Sequence, residues 1–142
     1  MRKGIIVSGY FNPLHKGHID YFKAARSEGD YLIVIVNNDY QRELKNSKEF
    51  MDEKERLLII SELKMVDKVY LSIDRDKTVN KTIIKIHKEL SKKINLIFGN
   101  GGDQNNKSIP ESSTCNKLGI KLIDKLGNKI QSSSWLLNKK YK

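Results

Sequence analysis

The stretch Tyr31-Leu32-Ile33-Val34-Ile35-Val36 carries an apolar or aromatic side chain at every position. A strand with one wet face alternates apolar and polar residues, so a strand apolar on both parities is covered on both faces. Such burial belongs to the middle of a parallel sheet, whose strands are joined by crossover helices. The rest of the chain supplies that alternation. Strands are expected at Gly4–Ser8, Lys68–Leu71, Asn95–Phe98 and Ile120–Ile123. Between them, helical spacing places Ile19, Phe22 and Ala25 on one stripe, Leu57, Ile60 and Leu63 on a second, and Val79, Ile83, Ile86 and Leu90 on a third. The helices are expected over about 17–28, from near Asp52, and over about Thr78–Lys92, with Gly29 stopping the first. Residues 37–50 read as a polar loop, and short helices are expected from Pro110-Glu111 and around Ser132–Ser134. This is an α/β chain: a single domain with a Rossmann-like, doubly wound parallel sheet of five strands.

In such a sheet ligands sit beyond the carboxyl ends of the strands. The loop after the first strand is Gly9-Tyr10-Phe11-Asn12-Pro13-Leu14-His15-Lys16-Gly17-His18, a tight turn leading into a helix start. A helix N-terminus presents unpaired N–H groups and a partial positive charge, which suit phosphate. Two histidines three residues apart stand at that seat, and Gly17 leaves room between them. Other unusual loops reach the same edge: 37–50, the glycine-rich Gly99–Ser108, and Gly127–Ser134.

The pattern His15-Lys16-Gly17-His18 after a first strand resembles the His-x-Gly-His signature of the nucleotidylyltransferase superfamily. Within it, the chain is similar to the small cytidylyltransferase-like group, which includes glycerol-3-phosphate cytidylyltransferases and the adenylyltransferase domain acting on heptose 1-phosphate. The resemblance runs over nearly the whole chain. It implies transfer of a nucleoside monophosphate from a triphosphate, CTP favoured, to a small phosphorylated acceptor such as glycerol 3-phosphate or a sugar phosphate. The acceptor oxygen attacks directly, pyrophosphate leaves, and no covalent nucleophile is needed. The alternative is an ATP-dependent adenylyltransferase acting on a sugar phosphate, and a non-catalytic nucleotide-binding module is a third class.

The resemblance also implies roles for residues. His15 and His18 donate hydrogen bonds to phosphate oxygens as charge grows on them. Lys45 is the better match, ahead of Lys48, for a phosphate-gripping lysine, and Arg56 points at the site from the start of its helix. Gly9, Tyr10, Phe11 and Gly17 lie against the nucleotide, and Gly101, Gly102 and Asp103 surround the base and ribose. Gln131, Ser132, Ser133 and Ser134 resemble the family's last signature, whose hydroxyls and N–H groups hold the β- and γ-phosphates. Magnesium arrives with the triphosphate, and no protein-held metal is expected. Relatives of this kind are often dimers, so a homodimer is expected.

Charge and composition narrow the partners. The formal net charge is +10, but the cations are dispersed lysines with only five arginines and no clustered stacking aromatics. That reads as a solvated surface, or as a field that draws in anionic small molecules, and not as a nucleic-acid interface. The charged start leads to only four apolar residues before Ser8, and no apolar run approaches a membrane span, so neither a secretory leader nor a membrane helix is expected. One cysteine, Cys115, excludes an internal disulfide and fits a reducing cytoplasm. Cys115 is expected to be a buried thiol, His87 a structural residue beside its helix stripe, and Trp135 core or interface.

Overall fold

The structure, a computed structural model, describes residues 1–101 and 109–126. Its elements run β1 (Arg2–Gly9), α1 (Lys16–Ser27), β2 (Tyr31–Val36), α2 (Asp39–Leu44), α3 (Glu53–Ser61), β3 (Lys68–Leu71), α4 (Asn80–Leu90), β4 (Ile94–Gly101), α5 (Ser112–Leu118) and β5 (Lys121–Leu126). The five strands form one sheet in the order β3-β2-β1-β4-β5, and every pairing is parallel. The doubly wound sheet expected from the apolar runs is the one observed.

The all-apolar strand explains the layers. Leu32, Val34 and Val36 point into a cluster with Phe22, Ala25 and Ile60, so α1 and α3 cover that face. Ile33 and Ile35 point the other way, into a cluster with Val79, Ile83, Ile86 and Cys115, so α4 and α5 cover the opposite face. Ile5 to Val7 in β1 divide in the same alternating way and are all fully buried. Cys115 is the buried thiol that was expected, and burial pushes its pKa up to about 12. His87 lies half-buried in the last turn of α4.

Residues 37–50 depart from expectation, because α2 interrupts them. Asn38 caps this helix: its side chain accepts from the Gln41 N–H at 2.8 Å, while Gln41 Oε1 accepts from the Asn38 N–H at 3.0 Å. That reciprocal capping box satisfies N–H groups a short helix would leave unpaired. Gln41 is fully buried, and its Nε2 donates to the carbonyls of Asp76 and Thr78 at 2.8 and 2.7 Å. The expected helix at Ser132–Ser134 and the environment of Trp135 lie outside the described residues.

The chain leaves β1 toward β2 and β3, then returns to the other side of β1 for β4 and β5. The reversal falls between β1 and β4, where α1 begins. Tyr21 of α1 closes that junction by donating its hydroxyl hydrogen to the Gly99 carbonyl at 3.2 Å.

Candidate active site

The site is built from β1 outward. Beyond Gly9 the backbone turns so tightly that Phe11 takes a φ of 52°. Its ring folds back against Gly9, where a Cβ would lie 2.7 Å from the ring. Glycine alone leaves that space. Phe11 is thereby buried, edge-on to His18 with centroids 5.0 Å apart and edge-on to Phe22 at 5.2 Å.

Two histidines cap α1. His15 is the N-cap residue, and its Nδ1 accepts from the Gly17 N–H at 3.0 Å. His18 Nδ1 accepts from the His15 N–H at 3.1 Å. A neutral imidazole has one acceptor nitrogen and one N–H, so each Nε2 carries the hydrogen. The two rings lie 3.9 Å apart between centroids. Burial first, and the neighbouring His15 second, lower the His18 pKa to about 4. His18 is therefore an uncharged donor at neutral pH, fixed in tautomer and direction by the backbone it caps.

Asn12 ties this loop to the segment after α2. Its Nδ2 donates to the Lys48 carbonyl at 2.7 Å, and its Oδ1 accepts from the N–H groups of Phe50 and Met51 at 2.9 and 3.0 Å. The two lysines singled out from the sequence are on that segment. Lys45 is the C-cap residue of α2, exposed, with Nζ 4.4 Å from the centroid of the Tyr10 ring. Lys48 is exposed as well.

Arg56 lies near the start of α3. It is fully buried, and its guanidinium is turned into the protein frame. Nε donates to the Met51 carbonyl at 3.1 Å, and Nη1 donates to the carbonyls of Tyr10 and Asn37 at 2.8 and 2.6 Å. Nη2 is paired with Asp39 Oδ1 at 2.7 Å. The physical reason is the convergence of three main-chain carbonyls at the ends of separate segments, which one planar fork satisfies together. Asp39 and Glu53 support it: each side chain accepts from the other's N–H, at 2.8 and 3.2 Å.

The structure thus brings together His15, His18, Tyr10, Phe11, Gly9, Gly17 and Lys45, with Arg56 beneath them. Gly101 ends β4, at the same edge of the sheet. Gly102, Asp103, Gln131, Ser132, Ser133 and Ser134 lie outside the described residues. Sequence reading singled out none of Asn12, Asp39 and Glu111, whose side chains tie separate segments together. Glu111 is buried at the start of α5, where its Oε2 accepts from the Val79 N–H at 3.0 Å. Burial raises its pKa, the strongest of several influences on it. No spacing in the sequence singles it out. Among the described residues, no three His, Cys, Asp or Glu side chains are grouped to hold a metal ion, and no helix is long and apolar enough to cross a membrane.

A parallel sheet with a reversal point, and a helix start there capped by a pair of imidazoles, define a nucleotide-phosphate-handling α/β protein. Residues 6–133 match the cytidylyltransferase-like family, and the chain belongs to it. The enzyme is of the nucleotidyltransferase type. It is 35% identical over 134 residues to an FAD synthase of Thermoplasma volcanium, an alignment covering 92% of this chain and 88% of that one. It is 36% identical over 67 residues to the glycerol-3-phosphate cytidylyltransferase of Staphylococcus aureus, covering 47% of this chain and 51% of the relative. Among solved structures it is similar to the lipopolysaccharide core biosynthesis protein from Thermoplasma volcanium GSS1, with a TM-score of 0.68 and 32% identity over 87% of this chain and 96% of that one.

Proposed function

We propose that the chain joins AMP from ATP to the phosphate of FMN, forming FAD and releasing pyrophosphate. The observation that carries this reading is the extent of likeness to an FAD synthase, which spans nearly the whole of both chains. The site chemistry fits it. A phosphate oxygen of the acceptor attacks the α-phosphorus, a new P–O bond forms, and the bond to the β-phosphate bridging oxygen breaks. Negative charge grows on the non-bridging α-oxygens and on the leaving pyrophosphate. The Nε2–H groups of His15 and His18 donate to the former, and a donor placed in advance is worth about 3 kcal/mol to such a state. Lys45 and Lys48 are the cations this loop offers to the substrate phosphates. Arg56 and Asn12 act as positioning residues that hold Tyr10 and the lysine segment in register with the histidine loop. Magnesium belongs to the triphosphate as substrate, on phosphate oxygens and water.

CTP, the triphosphate favoured by the sequence resemblance, with glycerol 3-phosphate as acceptor is the second reading, supported by the shorter likeness to a cytidylyltransferase. The test is a matrix of ATP and CTP against FMN, glycerol 3-phosphate and sugar 1-phosphates, followed by pyrophosphate release and product mass. The expected result is FAD from ATP and FMN. Turnover confined to CTP with glycerol 3-phosphate replaces the first reading with the second, and turnover confined to ATP with a sugar phosphate replaces it with a sugar-phosphate adenylyltransferase.

A further inference from the structure

Tyr10 presents a half-buried aromatic ring beside the histidine loop. It is the first residue beyond β1, next to the histidine loop. Its carbonyl is anchored by Arg56 at 2.8 Å, so its backbone does not wander. Phe11 then turns through a φ of 52° and sends its own ring into the core. Tyr10 goes the other way: its ring stays half-buried, and one face lies under the Lys45 ammonium at 4.4 Å. A buried packing residue would have both faces against apolar neighbours. Here one face is occupied by a long, exposed side chain that also serves as a phosphate-binding cation in the reading above. An ammonium on an exposed aromatic face is held by only about 0.5–1 kcal/mol, and a phosphate attracts it more strongly.

We propose that the Tyr10 ring is the stacking platform for the planar ring of the acceptor, and that Lys45 covers this face until a phosphate draws it away. The proposal rests on the flavin reading given above. A flavin phosphate carries both features the pair calls for: an anion that takes Lys45 and a flat aromatic system that takes its place. Offset stacking of aromatic rings adds to the area they bury. Glycerol phosphate offers only the anion. Tyr10 thereby becomes a specificity residue, favouring flat acceptors over aliphatic ones at the same phosphate seat.

The test uses the intact protein, without triphosphate, and follows flavin fluorescence during titration with FMN and with riboflavin. A flavin stacked on tyrosine is expected to lose fluorescence. Quenching by FMN is expected in the unaltered protein and in Tyr10→Phe, and its loss is expected in Tyr10→Leu, with the FMN Kd weakened at least 10-fold. Lys45→Ala gives a signature that simple structural damage would not. Riboflavin, which has no phosphate, should bind about two- to fivefold more tightly because its competitor for the ring is gone. FMN should bind more weakly because its phosphate has lost a cation. If Tyr10→Leu quenches and binds FMN as the unaltered protein does, or if Lys45→Ala weakens both flavins alike, the platform is wrong while the flavin reading stands. If the unaltered protein binds neither flavin, both fall together.

Discussion

Arg56 offers the sharpest test of how this site is held. Replacing it with leucine removes the donors to three carbonyls and to Asp39, the last at 2.7 Å. The guanidinium is fully buried, so water does not replace those bonds where they end. The Asn37 carbonyl belongs to a residue that is 4% exposed, while Asp39 keeps partial access to solvent. Breaking a buried pair by removing one partner costs about 3–5 kcal/mol, and the partial hydration of Asp39 places this case near about 4 kcal/mol. With a urea slope of about 2 kcal/mol/M, the unfolding midpoint should fall by about 2 M. Arg56→Lys keeps a charge beside Asp39 but has no planar fork, so its loss should be about 2–3 kcal/mol. The assay is urea unfolding of the ligand-free protein followed by circular dichroism. If Arg56 gripped phosphate, its removal would leave the ligand-free midpoint unchanged and raise the KM for the triphosphate. An Arg56→Leu midpoint within about 0.3 M of the starting protein would therefore refute the positioning role.

His18→Ala should lower kcat about 100-fold or more while circular dichroism stays that of the folded chain. His18 titrates at about 4 in the folded chain and at about 6.5 when unfolded, so the unfolded state takes the proton first on acidification. Stability should fall as pH drops from about 6.5 toward about 4, and His18→Gln should flatten that slope in pH-dependent urea unfolding. For the same reason His18 should contribute no inflection to the kcat profile between about pH 5.5 and 8. The +10 charge should show as a fall in kcat/KM for the triphosphate when salt is raised from about 50 to about 500 mM, with kcat nearly constant in stopped-time assays.

What could be read from the sequence follows from where each signal is stored. The sheet was legible because burial on both faces leaves an uninterrupted apolar run, and Tyr31–Val36 is such a run. The histidine pair was legible because its members are near in sequence and follow a strand. The helix α2 was not, because six residues are too few to show a 3.6-residue stripe, and the residues it buries are Gln41 and Arg42. Its one local signal was the spacing Asn38-x-x-Gln41, a capping-box pattern. The carbonyl partners of Arg56 were not legible for a deeper reason. An arginine aimed at phosphate and one aimed at carbonyls look alike in a sequence. The groups that decide between them here come from Tyr10, Asn37 and Met51, which only the fold brings together. Asn12 hid in the same way: it reads as a turn residue before proline, yet its side chain bridges 36 to 39 positions to Lys48, Phe50 and Met51.

The described residues of the candidate site divide by stiffness, and the division suits the chemistry proposed for it. The histidine donors are short side chains locked at Nδ1 by the N–H groups of their own helix start, and Phe11 is wedged edge-on to His18. In the proposed reading, such donors cannot follow a ligand that moves, so they would favour the one geometry in which the α-phosphate bears its greatest charge. The neutrality of His18 serves the same end. An imidazolium would bind the ground-state triphosphate tightly by charge alone, whereas a neutral N–H gains most when charge accumulates on the oxygen it faces. The lysines are the opposite case, long and exposed: Lys45 caps the end of α2 with its Nζ over the Tyr10 ring, and Asn12 holds the Lys48 carbonyl. They can reach phosphates in several poses and so suit capture and release of substrate and pyrophosphate. The rigid part costs conformational freedom that the buried fork of Arg56 secures at folding, before any ligand arrives, and substrate binding need not supply it again.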